Sequence, residues 1–291
     1  MAAVETRSWT YGRGVPESPR TGPSPSADGR CRPAKDASVN ASTTDPATAP
    51  AHPGDALDGR RLIVVGAGSH IGRQLARTAS AAGAELILAG PDEDRLKETA
   101  SGLAGPARIQ PLDLADEDSI TALATAAGRF DHLVSTAAMP ANGPVAGLRL
   151  AAVQRAFAAK VIGPLLLAKH LAGQAADGGS FTFFSGVAAW RPAPERVVMA
   201  TTNGALSFLV EALAVELAPV RVNAVSPGIV DSGAWDGLGE VKAAFLRGIA
   251  ERNPARRVGA PDDLVRAVLY AMSNPYVTGT VLHVDGGGRL V

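Results

Sequence analysis

The sequence contains one cysteine, Cys31, and only 4% aromatic residues, and its 28 basic side chains equal its 28 acidic ones. A lone thiol excludes an internal disulfide framework and a cysteine-cluster metal site. Balanced charge provides no overall field that would attract nucleic acid or an anionic membrane. No uninterrupted apolar run reaches the ~18 residues of a membrane span, and the N-terminus lacks the apolar centre of a signal peptide. We therefore expect a soluble cytoplasmic protein without metal, nucleic-acid or membrane partners.

The first 58 residues have almost no bulky aliphatic side chains and are rich in proline, serine, threonine and alanine. Such a segment cannot bury enough apolar surface to offset the entropy of ordering it, so we predict a disordered tail over 1–58. We interpret the tail either as a dispensable extension or as a partner-binding arm. Residues 59–291 have the length of one large domain, and we expect them to form a single one.

Beyond the tail, apolar runs of strand length alternate with segments of helix length. The strand-like runs include "RLIVVGA", "AELILAG" and "DHLVSTAA", which are continuous Val/Ile/Leu stretches followed by small residues. Strands of this kind are typical of a sheet buried on both faces, and their alternation with helices predicts an α/β fold with a doubly wound parallel sheet in three layers. The predicted helices cover 71–82, 92–103, 117–127, 150–174, 201–218 and 262–272.

Three glycines, Gly66, Gly68 and Gly72, lie between the first strand and the first helix. Glycines at this junction allow a positive φ and let the backbone approach a pyrophosphate, which the N–H groups and dipole of the helix N-terminus then stabilise. The position at the first strand-helix junction favours a dinucleotide site over a purely structural turn.

With these motifs, residues 61–291 resemble the short-chain dehydrogenase/reductase (SDR) family, which implies a Rossmann-like fold. The family's Thr-Gly-x-x-x-Gly-x-Gly pattern reads "VGAGSHIG" here, with His70 in place of the middle glycine. The His70 side chain would crowd the pyrophosphate, donate a hydrogen bond to it, or remain solvated at the rim. The resemblance assigns further cofactor contacts to Asp113 in "LDLAD", to the "STAA" stretch and to the Pro-Gly of "NAVSPGIV". The full set of predicted cofactor-binding residues is Gly66, Gly68, Ser69, His70, Ile71, Gly72, Asp113, Leu114, Thr136, Ala137, Ala138, Asn203, Pro227, Gly228 and Ile229.

The cofactor preference depends on the end of the second strand. An acidic residue there holds the ribose 2′-hydroxyl of NAD, but this strand ends in Ala89-Gly90-Pro91. Nothing at its tip would repel a 2′-phosphate, so we expect NADP rather than NAD. Pro91 stands where the family often has an arginine, and Arg95 or Arg73 is the candidate substitute.

The family's catalytic residues are a Tyr-x-x-x-Lys pair, a serine and an asparagine. In that set the tyrosine exchanges the substrate proton, the lysine lowers the tyrosine pKa and binds the ribose, and the serine polarises the carbonyl. Here Met199 takes the tyrosine position, Asn203 the lysine position and Lys160 the asparagine position, while the serine pair reads Ser185-Gly186. The candidate catalytic set is therefore Ser185, Lys160, Asn203 and Met199, of which Met199 is no acid or base. Ser185 is interpreted either as catalytic or as a structural residue closing its strand.

Lys160 admits two orientations. It either extends its amine to the surface, or it points inward, where desolvation would lower its pKa and make it a candidate general acid. The resemblance implies an NAD(P)(H)-dependent oxidoreductase acting on a small molecule without the tyrosine relay. The alternative is a non-redox protein on the same fold, either a cyclase or isomerase or a catalytically silent subunit. Helices 150–174 and 201–218 carry more apolar surface than one sheet face can cover, so we expect a homodimer or homotetramer. Trp190 and Trp235 are candidates for the substrate wall.

Overall fold

A computed structural model describes residues 57–291. The predicted tail lies outside the described residues except for its last two positions. One of these, Leu57, is 1% exposed and packs in the hydrophobic core. The folded domain therefore includes Leu57, two residues before the boundary that composition suggests.

Seven parallel strands form one sheet, which confirms the predicted doubly wound architecture. Their order across the sheet is β3-β2-β1-β4-β5-β6-β7, so the chain reverses its direction of winding between β1 and β4. Ligands of open parallel sheets bind at such a reversal, outside the carboxyl ends of the strands. The strands are β1 (Arg61–Val65), β2 (Glu85–Gly90), β3 (Ala107–Pro111), β4 (Phe130–Ser135), β5 (Ala175–Phe184), β6 (Arg221–Pro227) and β7 (Val281–Val284).

Helices cover both faces of the sheet and complete the three layers. Alternate strand residues point to opposite faces, and each set builds its own core: Val65 and Phe183 face one layer, Val64 and Val225 the other. The first layer contains α3 (Glu117–Ala127), α4 (Leu150–Phe157), α5 (Gly163–Leu171) and α6 (Val197–Glu216), and the second contains α1 (His70–Ala81), α2 (Glu93–Ser101) and α8 (Pro261–Ser273). A further helix, α7 (Lys242–Arg252), follows the irregular segment after β6.

The predicted helix 150–174 is interrupted in the middle. One π-helical turn, Ala158–Ile162, joins α4 to α5, and Lys160 lies at its centre. Such insertions widen a helix by one residue and frequently mark functional sites. By length and composition alone, Leu150–Gln174 and Val197–Glu216 could each cross a membrane. Both helices instead contribute buried side chains to the core against the sheet, as helices of a globular domain do.

Helix α6 begins four residues before the predicted start at Thr201. In the structure Thr201 and Thr202 are interior residues, and their hydroxyls donate back to the carbonyl oxygens of Val197 and Val198 at 2.8 and 2.9 Å. Met199 therefore lies inside the helix, one turn before Asn203.

Candidate cofactor and active site

The glycine turn after β1 packs too closely for side chains. Gly66 has φ +82°, and a Cβ built on it would lie 2.6 Å from the Thr136 hydroxyl. A Cβ on Gly72 would overlap the carbonyl oxygen of Gly66. The turn thus needs glycine at both positions and presents bare backbone at the carboxyl edge of the sheet.

Helix α1 directs its N-terminus at this edge. Ser69 caps the helix by accepting a hydrogen bond from the Gly72 N–H at 3.1 Å. The N–H groups of His70 and Ile71 belong to the first turn, where the helix itself provides no acceptor. They are the groups that would bind a pyrophosphate.

Two threonines brace the turn. The Thr136 hydroxyl lies 3.3 Å from the carbonyl oxygens of both Val65 and Gly66 and 3.2 Å from the Ser69 hydroxyl. Thr99 of α2 is fully buried and donates to the Ala67 carbonyl at 3.1 Å. Thr99 was not predicted, because a threonine in a helix carries no sign of a contact made across 32 positions of sequence.

The His70 side chain reaches across the cleft. A Cβ built on Gly233, in the segment after β6, would lie 2.5 Å from the Cε1 and Nε2 atoms of the His70 ring. The ring therefore rests on the Gly233 backbone, where φ is +82° and no side chain fits. The His70 residue is exposed and lies between the glycine turn and the segment after β6, and its predicted role towards the pyrophosphate stays a prediction.

The predicted adenine contact lies at the end of β3. Asp113 is exposed, and its Oδ1 accepts a hydrogen bond from the Ala115 N–H at 2.9 Å, which leaves Oδ2 facing out of the turn. Leu114, beside it, is buried against Gly163 at the start of α5. Ala137 and Ala138 continue from β4 along the same edge, after Thr136.

The Pro227-Gly228-Ile229 stretch leaves β6 against the end of β7. The Gly228 N–H donates to the Val284 carbonyl at 3.0 Å, and a Cβ on Gly228 would lie 2.7 Å from the Cα of Asp285. The Ile229 carbonyl accepts from the Gly259 N–H at 3.0 Å. These contacts fix the backbone that borders the nicotinamide position in the family.

The two arginines that could replace the missing family arginine differ in their partners. Arg73 is held by Glu98 through two hydrogen bonds of 2.7 and 2.8 Å. The Cβ of Arg95 lies 3.0 Å from where a Cβ on Gly68 would be, so its stem crosses the glycine turn. The Arg95 side chain is 67% exposed, and its Nε makes one 3.3 Å contact with Asp92. Of the two arginines, Arg95 is therefore the one that is available to bind a phosphate beside β2.

At the catalytic positions the structure brings Gly186, Met199 and Asn203 together. Met199 is half-buried and provides no proton. Asn203 is 3% exposed, and its Oδ1 is buried without a hydrogen-bond partner among the described residues. A Cβ on Gly186 would lie 2.8 Å from the Asn203 Nδ2, so the absence of a side chain at 186 makes room for the amide. A buried orphan oxygen at this point matches the lysine position that binds the ribose in the family.

The Ser185 hydroxyl donates to the backbone carbonyl of Asn203 at 2.9 Å, and the residue is 5% exposed. This bond joins the end of β5 to α6 and favours the structural alternative for Ser185, while its catalytic role stays a prediction.

Lys160 points inward, which resolves its two predicted orientations. The residue is 4% exposed, and its Nζ donates to the carbonyl oxygens of Phe184 at 2.5 Å and Ser185 at 3.4 Å. Burial lowers the pKa of the Lys160 amine to about 8. The ammonium therefore lies under the end of β5, one peptide unit from Gly186, and no carboxylate of residues 57–291 hydrogen-bonds to it.

The residues present fit a dinucleotide. The glycine turn forms a cradle that a Cβ would fill, the first turn of α1 presents donors, and Asn203 offers an unpaired buried acceptor for a ribose hydroxyl. Cavity volume does not identify this site, because a 560 Å³ cavity lies at the opposite edge of the sheet, lined by Arg61, Glu85 and Arg108 among others.

Comparison with known proteins agrees with this geometry. A family model described as enoyl-(acyl carrier protein) reductase matches residues 66–288. The short-chain dehydrogenase/reductase ucsE of Acremonium sp is 34% identical over 258 residues, covering 81% of this chain and 97% of that one. The chain belongs to the short-chain dehydrogenase/reductase family. SDR enzymes are oxidoreductases that use a nicotinamide cofactor, which is the group that the glycine turn fits.

Two solved SDR structures are also similar. A small-chain dehydrogenase in complex with NADPH superimposes with a TM-score of 0.67 at 32% identity, covering 80% of this chain and all of that one. The MalC reductase/Diels-Alderase from Malbranchea aurantiaca superimposes with a TM-score of 0.77 at 28% identity, covering 82% of this chain and all of that one. The name of the MalC structure includes both a reductase and a Diels-Alderase activity.

Proposed function

We propose that this SDR protein is an NADP(H)-dependent reductase of a conjugated acceptor, and that it works without a tyrosine proton donor. The observation that carries the proposal is the pairing of a complete cofactor cradle with Met199, Gly186 and Asn203 at the positions of the proton relay. Reduction of a simple carbonyl needs an acid for the developing alkoxide, and Met199 cannot provide one. Reduction of a conjugated acceptor does not require such an acid side chain.

When bound, the nicotinamide supplies a hydride. The β-carbon of the acceptor takes the hydride and forms a C–H bond, while the C=C electron pair moves towards the carbonyl oxygen as an enolate. Water then protonates the enolate carbon. The buried Lys160 ammonium would stabilise the negative charge developing near the end of β5, and it does so without transferring its own proton. An iminium substrate also needs no acid, but its positive charge would be opposed by Lys160.

The preference for NADP is part of the proposal. No carboxylate ends β2, and Arg95 crosses the glycine turn with its side chain exposed, which favours a 2′-phosphate over a free 2′-hydroxyl. Arg73 is already committed to Glu98. Self-association through α4, α5 and α6 and a cytoplasmic location, suited to a chain with one cysteine, complete the proposal.

Titration with NADPH and with NADH, followed by heat or tryptophan fluorescence, tests the cofactor assignment. We expect tighter binding of NADPH, and Arg95→Ala should remove most of the difference whereas Arg77→Ala should not. Loss of NADPH absorbance with panels of enones, imines and ketones then tests the reaction. The absence of binding to either dinucleotide would refute the reductase.

A second candidate is a cyclisation in the same cleft. It is favoured by the absence of an acid or base side chain at 199 and 186, because a pericyclic step moves neither a proton nor a hydride. The name of the MalC structure, to which this chain is similar, includes such an activity. Product formed from a linear precursor in the absence of any dinucleotide would support the cyclase, and strict dependence on NADPH would support the reductase.

A further inference from the structure

Large apolar side chains remain exposed around the mouth of the cleft. Six of them are between 39% and 72% exposed, and we call them the apolar rim: Met139, Val145, Trp190, Val197, Leu238 and Val241. Single exposed apolar residues are ordinary on a protein surface, but several on neighbouring segments indicate a binding surface.

The rim residues come from three segments that follow strands at the carboxyl edge of the sheet. Met139 and Val145 follow β4, Trp190 and Val197 lie in the connection from β5 to the start of α6, and Leu238 and Val241 follow β6. The first two segments are joined by a 3.0 Å hydrogen bond from the Gly143 N–H to the Glu195 carbonyl. The rim therefore lies at the end of α6 that carries Met199, the third residue of this helix.

Charge on these segments is balanced. Residues 139–149, 186–197 and 229–242 contain Arg149, Arg191, Arg196 and Lys242 against Glu195, Asp231, Asp236 and Glu240. Lys242 binds both Asp231 and Asp236, at 2.8 and 2.7 Å, and Arg191 donates to the Gly288 carbonyl at 3.2 Å. Four basic residues therefore stand against four acidic ones, and the segments show no net charge that would select a phosphate or a carboxylate.

We propose that the substrate is a bulky, predominantly apolar ring compound without phosphate or carboxylate groups, whose ring system contacts the apolar rim while its reacting double bond lies beside Met199. This inference rests on the proposed function, since it names the substrate class of that site. A thioether and an indole provide surfaces for an extended ring, and neither selects a polyhydroxylated molecule such as a ketose.

The test uses N-phenyl-1-naphthylamine, a neutral apolar fluorophore, with the full-length protein saturated with NADPH. We expect saturable binding of one probe per chain and no competition by a ketose. The Val145→Ser and Leu238→Ser variants should each bind the probe about fivefold more weakly, because each substitution removes apolar contact area. Tyr276→Ser changes a residue that is 95% exposed outside the rim, and it serves as the control.

Each outcome distinguishes this inference from the proposed function. If NADPH binds but probe binding responds to Tyr276→Ser and not to the rim variants, the apolar substrate class is overturned and the reductase stands. If neither dinucleotide binds while the rim variants still weaken probe binding, the reductase is overturned and the substrate class stands. Equal probe affinity in all three variants contradicts the rim as the binding surface.

Discussion

At the scale of single residues, Lys160 is the feature that separates this site most clearly from its family. It carries a buried amine where the family has a neutral amide, and two backbone carbonyls are its only hydrogen-bond partners among the described residues. The sequence shows the exchange of Lys160 and Asn203 but allows either orientation of the lysine. Only the packing of the π turn against the end of β5 decides it, because helical periodicity is shifted by the inserted residue.

Replacing Lys160 with methionine should lower turnover by about tenfold to a hundredfold at pH 7, with NADPH affinity changed little. The charge that stabilises the enolate is lost, while the length and apolar character of the stem are retained. In the wild type, kcat should fall as pH rises through about 8, where the amine loses its proton. The variant's kcat should show no such step. Steady-state pH profiles of the two proteins measure this, and identical profiles would contradict a role for the charge.

The same variant should be more stable than the wild type at pH 7. The folded-state pKa of Lys160 is about 8 against 10.5 for the exposed group, so burial of the charged amine lowers the free energy of unfolding of the wild type. The gain should approach ~3 kcal/mol, less the lost hydrogen bond to Phe184. As pH rises from about 8 to 10.5, the wild type should become more stable, because the unfolded chain then binds the extra proton. Urea unfolding across this range measures it. A destabilised variant would indicate a purely structural lysine.

A second buried titratable residue, His132, predicts sensitivity to acid. It is 7% exposed, its Nδ1 lies 2.9 Å from the Ser180 hydroxyl, and burial together with the nearby Arg221 lowers its pKa to about 4. Between about pH 6.5 and 4 the unfolded chain binds a proton at His132 that the folded chain does not bind. The free energy of unfolding should therefore fall by up to ~3 kcal/mol as the pH is lowered. His132→Asn retains a polar group near Nδ1 and should reduce this slope. Equal slopes in the two proteins would refute it.

At the scale of elements, two glycines, one in the glycine turn and one in helix α7, should respond differently to replacement by alanine. Gly72→Ala places a Cβ on the Gly66 carbonyl oxygen, so it should weaken NADPH binding at least about tenfold by displacing the turn. Gly248→Ala, in the interior of α7, meets nothing within 4 Å and should raise the free energy of unfolding by about 0.5–1 kcal/mol. Calorimetric titration and thermal unfolding of both variants check this. Unchanged cofactor affinity in Gly72→Ala would show that the turn does not bind the dinucleotide.

Elements with repeated local signals were predictable, and those set by distant contacts were not. The buried runs of β1, β2 and β4 and the glycine turn carry their signals in a few adjacent residues. The predicted start of α6, Thr201, lies four residues inside the helix, where its hydroxyl bonds to the Val197 carbonyl. The role of Ser185 depended on the neighbouring helix carbonyl, and the partner of His70 on a glycine 163 positions away in sequence. Neither of these two contacts can be predicted from composition or from the spacing of residues.

At the scale of the whole molecule, exposed apolar residues lie along the helices that cover one face of the sheet. Phe208 and Val215, two turns apart on α6, are 74% and 82% exposed, and Leu150, Ile162 and Leu165 are exposed on the neighbouring α4–α5 segment. Such a face predicts an isologous contact between two copies.

Light scattering should therefore give at least twice the 29.6 kDa of one chain. The double variant Phe208→Glu/Val215→Glu should shift the protein towards the monomer, because two carboxylates would have to be desolvated at the contact. Tyr276→Glu, elsewhere on the surface, should leave the assembly unchanged. A wild-type mass of one chain would exclude this interface.

The contact between Gly186 and the Asn203 amide couples the two positions. A serine introduced at 186 alone would press on an amide that is already enclosed, and a lysine introduced at 203 alone would add a second buried cation to a site that already holds Lys160. Installing the family's relay in this chain therefore requires the substitutions to be made together, because each one alone is unfavourable while the others are missing.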